Sequence, residues 1–408
     1  MFKSLAFILC SVICADGFVA NGQILYPISL PRGLTGVATS SPITVEDFGG
    51  VGKCCDRLSV TTLAAQGIAE LGALPTTRLA PASDHGTKAA PPSQSAMSAA
   101  ADYSKAHNGQ ALIVMFDGKV VFERYDNGGA PNRLQMLASG SKSFVGVAAV
   151  AAVQDGLLRL DDPASESIAE WKTDPKKAKI TYRQLLTLTS GLLPGERGSA
   201  IQAPSWKEII AKPMTGQPGE QFEYGHYQLN AFAYALERKL GRESFEAYLK
   251  RRILDPLGIE VEWRFRCADG HPQVGGGAFM TAMDWAKFGE FIRRGGQWNG
   301  KQIVRADLLA ECFRGTPQNP AYGLTWWLKK EVTTAHLRRI PILAREWGEI
   351  ANANWLPGDL VAACGAGKQR LYVIPSLKLV IVRMGGLGRG FSDAEFLSLL
   401  FQNKAMNK

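Results

Sequence analysis

The sequence predicts an α+β domain. One antiparallel sheet is made from the two ends of an ordered region, flanked by N- and C-terminal helices, with a mainly helical insertion between. Three observations predict it. Near the start of that region ALIVMF, Asp117-Gly118 and KVVFERY read as a β-hairpin, because two apolar-rich runs flank a dipeptide that tolerates the positive φ of a primed turn. Near its end QRLYVIP, a turn at Ser376-Leu377-Lys378, and LVIVRMG read as a second hairpin. Between them, over about residues 157–345, ESFEAYLKRRIL and MTAMDWAKFGEFIRRGG repeat apolar residues at helical spacing. Hairpins at both ends place the ends in one sheet, and the helices cover it.

The elements follow in order. MFKSLAFILCSVICADG has a basic Lys3, an apolar run from Leu5 to Ala15 broken only by Ser11, and small Ala15 before Asp16. That pattern is an export signal too short to span a bilayer, so residues 1–20 are expected to be a signal peptide and the protein secreted or periplasmic. Residues 21–92, rich in Gly, Pro, Ser, Thr and Ala, are expected to form an extension or leader before a domain over 93–400. SAMSAAADYSKAH opens that domain as a helix. After the first hairpin, LQMLASGSKSFVGVAAVAAV reads as a helix ending near Gly156. YQLNAFAYALERKL is stopped by Gly241, and MTAMDWAKFGEFIRR by Gly295-Gly296. A last helix starts near Ser392, where Ser392 and Glu395 have capping-box spacing.

Composition narrows the class. With 408 residues, 46% hydrophobic and 20% charged, the chain can bury a core that needs no disulfide or metal. The net charge is +9 at pH 7, but the basic residues are scattered as Lys176-Lys177, Lys250-Arg251-Arg252, Arg293-Arg294 and Arg338-Arg339. Without aromatic interleaving or a nucleic-acid motif they read as solvated helix faces, which argues against a nucleic-acid partner; binding of anionic polymers is a weaker alternative. Two of the 7 cysteines, Cys10 and Cys14, fall in the signal. Cys54, Cys55, Cys267, Cys312 and Cys364 form no CxxC, so they allow at most two disulfides and suggest no zinc site.

One charge stands out in an apolar helix. Lys142 follows Ser139 by three residues, and residues i and i+3 share a helix face. A serine hydroxyl is a poor nucleophile without a base. A lysine among apolar neighbours, near the positive end of a helix, loses preference for its charged form, so its amine can serve as that base. The bland alternative is a serine that caps the helix and a lysine that reaches solvent. The almost wholly apolar SFVGVAAVAAV that follows argues for burial instead. Tyr224, in PGEQFEYGHYQLN, sits on a loop at a helix entrance, where it can relay a proton or simply pack. Gly365-Ala366-Gly367 precede QRLYVIP; they can offer a backbone N–H to an oxyanion, together with that of Ser139, or form an ordinary bulge. His85, His107 and His336 lack metal-ligand spacing, and there is neither a G-x-S-x-G elbow nor a phosphate loop. No metal and no cofactor is therefore expected. Trp326-Trp327, with Trp347 or Trp355, can line an apolar acyl pocket or fill the core.

Together these pieces resemble the serine β-lactamase and penicillin-binding-protein superfamily, whose S-x-x-K tetrad is a signature. The resemblance is carried by SGSKSF at 139–144, GLLRLDDP at 156–163 and ITYRQLLTLTSGL at 180–192. It continues through PGEQFEYG at 218–225, GGGAFMTAMDWAKFGEF at 275–291 and GAGKQRLYVIPSLKLVIVRMGG at 365–386, in the family's order over about residues 95–400. The chain looks most like the branch of class C-type β-lactamases, carboxylesterases and 6-aminohexanoate-dimer hydrolases. The resemblance implies a β-lactamase-like fold, Ser139 as acylated nucleophile, Lys142 as its base, and Tyr224 assisting proton transfer. It makes the backbone N–H groups of Ser139 and Ala366 an oxyanion hole, with His226, Gly365 and Gly367 bordering the substrate.

Two departures shape the expected substrate. The family's Y-x-N is here Tyr224-Gly225-His226, and its Lys-Thr-Gly is Ala363-Cys364-Gly365. The missing lysine normally helps hold a substrate carboxylate. The expectation is therefore an exported serine hydrolase of ester or amide bonds, a carboxylesterase or a 6-aminohexanoate-oligomer amidase. The alternatives are a β-lactamase or DD-peptidase, or a non-catalytic acyl-ligand or peptidoglycan-binding protein on the same fold. Leu188 replaces the family's usual histidine, a change read as structural. The expected partner is a small-molecule ester, amide or lactam, with no nucleic acid and no stable membrane insertion, and the protein a monomer or homodimer.

Overall fold

The structure is a computed structural model that describes residues 89–196, 201–388 and 390–405, with side chains through Phe401. The expected signal peptide, nearly all of the leader, and Cys54 and Cys55 lie outside the described residues. Among the described residues no helix is long and apolar enough to cross a membrane.

Helix α1 (Gln94–Ala106) leads into strands β1 (Gly109–Phe116) and β2 (Lys119–Tyr125). Their turn passes through Asp117 and Gly118 at φ 48° and 81°, the left-handed pair that a primed two-residue turn requires. β3 (Gln135–Met136) pairs with β5 (Ala278–Met280), and β5 with β4 (Glu262–Trp263), in a small second sheet. β6 (Gln297–Trp298) and β7 (Lys301–Gln302) form a short ribbon. β8 (Trp327–Leu328), β9 (Val361–Gly365), β10 (Gln369–Ile374) and β11 (Leu379–Gly385) complete the main sheet. Its order is β2-β1-β11-β10-β9-β8, antiparallel throughout. The pairing of β1 with β11, in the register Ile113↔Val382, is the expected union of the two chain ends.

Strand alternation sorts the two faces of this sheet. Ile113, Leu371, Val380 and Val382 share one face; Leu112, Arg370, Tyr372 and Arg383 share the other. Five more helices lie between β2 and β8 and matter here. They are α2 (Lys142–Gln154), α3 (Tyr182–Leu186), α4 (Trp206–Ala211), α5 (Tyr227–Leu240) and α6 (Ala282–Arg293). α6 lies on the apolar face, where a Cβ at Gly289 would stand 2.5 Å from Leu371 and 2.6 Å from Val380. So the segment expected to be an insertion gives one helix to the sheet and also carries short strands. The opposite face takes α1 and the closing helix α7 (Asp393–Ala405), with Tyr372 stacked on Phe396.

Three local expectations change in detail. ESFEAYLKRRIL is not one α-helix, because Lys250–Leu254 is a π turn between Phe245–Leu249 and Asp255–Leu257. Pro256 offers no N–H to the carbonyl one turn back, which loosens the preceding backbone. At α7 only half of the capping box forms: Ser392 Oγ accepts from the Glu395 N–H, but the Ser392 N–H donates to the Tyr103 hydroxyl at 2.9 Å instead. LQMLASGSK is not helical before Ala138, as described below.

α2 is the central helix. Phe144, Val145, Val147 and Val150 are all fully buried, each worth roughly 1.5–3 kcal/mol against exposure to water. Its small residues permit close packing: a Cβ at Gly146 would stand 2.2 Å from the Leu324 carbonyl. That tight seating fixes the entrance of α2, where Lys142 begins the helix.

Candidate active site

The stretch read as one helix from Leu134 is three pieces. After β3 the Leu137 N–H donates to the Ala278 carbonyl at 2.9 Å, Ala138–Ser141 forms a 3-10 turn, and α2 starts at Lys142. Ala138 adopts φ 47°, a left-handed conformation that costs a non-glycine residue roughly 1–2 kcal/mol. The surroundings hold it there. Ser141 Oγ donates to the Ala138 carbonyl at 2.6 Å and accepts from the Ala278 N–H at 3.1 Å. Strain before a candidate nucleophile is what an over-determined reactive turn displays. Gly140 completes the turn where a Cβ would meet the Trp285 ring at 2.9 Å.

Ser139 is half-buried at the mouth of this turn, while Lys142 is only 4% exposed. Lys142 Nζ donates to Ser139 Oγ at 2.9 Å and to the Gly275 carbonyl at 2.7 Å. It also lies over the Tyr224 ring, 4.8 Å from the centroid. The three-residue spacing thus brings hydroxyl and amine together, through a 3-10 turn rather than an α-helical one.

Tyr224 is half-buried on the loop before α5, whose first flanking residue is His226. The loop is pinned by the Pro194 carbonyl, which accepts from the N–H groups of His226 and Tyr227. A Cβ at Gly225 would stand 2.0 Å from that carbonyl, so the middle position of Tyr224-Gly225-His226 admits only glycine. Tyr224 packs against Tyr322 and Trp327, with ring centroids 6.0 and 5.8 Å away. Burial pushes the Tyr322 hydroxyl well up from its ordinary value. His226 borders the site by packing on Gly275, where a Cβ would meet the His226 Cβ at 2.5 Å.

β9 brings the third piece. Gly365 ends the strand against the turn that carries Ser139: a Cβ there would stand 2.0 Å from the Leu137 carbonyl and 3.0 Å from the Gly140 nitrogen. Ala366, Gly367 and Lys368 turn the chain into β10, with Gly367 and Lys368 at φ 76° and 56°. Alternation along β9 puts Ala363 on the side of Gly365 and Cys364 opposite Arg370. The position of the family's third-motif lysine is therefore filled by a buried methyl. Burial pushes the Cys364 thiol up to about 12. Cys267, Cys312 and Cys364 are all free and buried.

The structure also adds residues that the sequence did not single out. The Gly275 carbonyl is the second acceptor of Lys142, delivered by a loop held through the Val274 N–H on Asn230 Oδ1. The GGG run at 275–277 was the available signal, since a Cβ at Gly277 would also strike the Phe265 carbonyl. Trp327 joins the rings around Tyr224, whereas Trp326 packs inward on Phe288 and Phe313. Trp355 is exposed, and His107 and His336 serve local backbone contacts. His85 lies outside the described residues.

Known proteins share the fold. A β-lactamase from Yersinia enterocolitica is 31% identical over 161 residues, 37% of this chain and 41% of that protein, so the chain matches well under half of this relative's length. A family VIII carboxylesterase superposes with a TM-score of 0.57 at 14% identity, covering 75% of this chain and 97% of its own. A penicillin-binding-protein homologue from Caulobacter crescentus gives 0.57 at 13% identity, covering 77% and 98%. At such identities the two superpositions establish the fold, a β-lactamase-like antiparallel sheet with surrounding helices. The β-lactamase family profile matches residues 94–385 of the 408, from α1 to the end of β11. The chain belongs to the β-lactamase family, whose members are serine hydrolases.

Proposed function

We propose that this protein hydrolyses ester or amide bonds through an acyl-enzyme on Ser139, with carboxylesterase activity foremost. The observation that carries this reading is a buried Lys142 whose Nζ lies 2.9 Å from Ser139 Oγ. Ser139 Oγ bonds to the substrate carbonyl carbon while its proton passes to Lys142 Nζ. The carbonyl electron pair moves to oxygen, where the N–H groups of Ser139 and Ala366 receive it. Collapse expels the alcohol or amine, which takes a proton from Lys142 with help from Tyr224. Water then repeats the sequence on acyl-Ser139.

The substrate preference rests on what stands in the third motif. Ala363 supplies no cation for a substrate carboxylate, which favours neutral esters and simple amides, including linear aminohexanoate oligomers, over β-lactams. The half-buried Tyr224 ring, backed by the buried rings of Tyr322 and Trp327, supports an apolar acyl group. A second reading, β-lactamase or DD-peptidase, is favoured by the 31% identity to the Yersinia enterocolitica enzyme. Lys3 and the apolar run to Ala15 support export.

One experiment separates these readings. Wild type and Ser139→Ala are run on p-nitrophenyl esters of increasing chain length, a linear aminohexanoate dimer and a chromogenic cephalosporin, with fluorophosphonate labelling in parallel. The label is expected on the Ser139 peptide, and Ser139→Ala should lose at least about a thousandfold of ester turnover. A faster cephalosporin supports the second reading. Binding without turnover on the whole panel, or a label elsewhere, overturns the catalytic one.

A further inference from the structure

Behind the turn that carries Ala366 lies a pair of arginines that the reaction as written does not use. Arg370 and Arg383 sit opposite each other on β10 and β11, and both are fully buried. All five N–H groups of Arg370 are engaged. Nε and Nη2 grip the two oxygens of Asp393 at 2.5 and 3.1 Å, and Nη2 also reaches Glu346 at 3.3 Å. Its remaining nitrogen, Nη1, donates to the carbonyls of Gly365 and Gln369, both at 3.1 Å. Arg383 Nη1 donates to the carbonyls of Gly367 and Lys368, both at 2.9 Å. The rest of that side chain is fixed by Ser104 Oγ, the His107 carbonyl and the face of Phe391, 4.2 Å from its ring centroid.

The two guanidiniums therefore hold the carbonyls of residues 365, 367, 368 and 369, every one in the turn except that of Ala366. The Gly365–Ala366 peptide is trans, so its carbonyl and its N–H point in opposite directions. Turning the Gly365 carbonyl onto Arg370 turns the Ala366 N–H away from Arg370. We propose that Arg370, seconded by Arg383, is a positioning residue of the reaction: it sets the direction of the Ala366 N–H by holding the carbonyl of the same peptide. This rests on the reading of Ala366 as an oxyanion donor.

Geometry sets the requirement. A donor helps an oxyanion only where it meets the charge that develops, and losing one such donor costs about 10²–10³ in turnover. A guanidinium suits the task because its fork bridges a carboxylate and two carbonyls at once, whereas a lysine amine cannot span them. Asp393 opens α7, so the closing helix anchors the fork.

The test uses Arg370→Lys and Asp393→Asn in the full chain, so that one folded variant suffices. Arg252→Lys serves as control, because Arg252 forks onto Asp155 at the far end of α2 and touches none of the turn. Three quantities are read: kcat and KM for p-nitrophenyl butyrate, and Ki for phenylboronic acid as a tetrahedral mimic. Arg370→Lys is expected to lower kcat about a hundredfold and to weaken the boronate in parallel, with KM nearly unchanged. Asp393→Asn should do the same to a lesser degree, and Arg252→Lys should change none of the three.

Two outcomes count against the proposal, and they differ. If Ser139 labels with fluorophosphonate but a folded Arg370→Lys or Asp393→Asn keeps kcat and boronate affinity, the positioning role is overturned while the acyl-enzyme stands. A loss confined to stability or KM has the same meaning. If Ser139 does not label, the acyl-enzyme reading falls and the positioning role with it.

Discussion

Two buried basic side chains flank the candidate site, and the partners described for them differ. The partners of Lys142 include a hydroxyl, a backbone carbonyl and an aromatic face. Arg370 is locked between Asp393 and Glu346, with two carbonyls on its other side. Burial alone would raise the Asp393 carboxyl, but Arg370 and Lys368 outweigh it and hold the group far below the usual carboxylate range. A base that must take a proton and give it back is served by neutral partners that fix its place without fixing its charge. A side chain that must only hold a peptide still is served by permanent charge on both partners. In the proposed reaction the Lys142 side exchanges protons and the Arg370 side stays put.

The sharpest way to break that comparison is to remove Lys142 on one side and the carboxylate that anchors Arg370 on the other, and compare activity with stability. Lys142→Ala is expected to lower kcat by about 10⁴, the upper end for a general base. Its urea-unfolding free energy should fall by no more than about 2 kcal/mol, an ordinary single-site effect. Asp393→Ala should do the reverse in emphasis. It leaves Arg370 and Lys368 with Glu346 as their one carboxylate and strands the Tyr372 hydroxyl, and breaking such a buried pair costs about 3–5 kcal/mol in the same measurement. Equal stability losses in the two variants would erase the distinction.

The smallest effect is on pH dependence. Asp393 has a folded pKa below its unfolded one, so its contribution is present above about pH 4 and is lost as pH falls through the folded value. Burial, and the nearby Asp393 carboxylate, raise the Tyr372 hydroxyl well above its ordinary value. Tyr372 therefore stabilises fully below about pH 10 and loses that contribution as pH rises through its folded pKa. Urea midpoints should be flat from about pH 5 to 9 and fall on both sides. Tyr372→Phe should soften the alkaline fall, and also shrink the acid one in part, because its hydroxyl helps hold the Asp393 carboxyl down. Burial lowers the Arg383 guanidinium to about 10, which acts in the opposite direction above that pH and blunts the fall.

How much was legible in the sequence follows from how local each signal is. Both hairpins were readable because alternation and turn residues are written over a few neighbours, as in ALIVMF-DG-KVVFERY. β8 was not, since two residues set no period and its pairing with β9 is decided across the chain. Ser139 and Lys142 were readable as neighbours because three residues make a helical turn of either kind. That the turn is 3-10, with Ala138 left-handed, was not: Ala278, far along the chain, supplies the hydrogen bonds that stabilise it.

The sequence by itself determined the hairpins, the buried helix behind Ser139 and Lys142, the glycines that allow Tyr224 and Ala366 to be presented, and the absence of a third-motif lysine. Each depends on residue type and short spacing. Tertiary structure alone decided that the Gly275 carbonyl completes the seat of Lys142, and that Arg370 and Arg383 grip the turn around Ala366. The first contact spans 133 positions, and Arg383 is itself fixed by Ser104, 279 positions away, so no local pattern encodes where these side chains will be held.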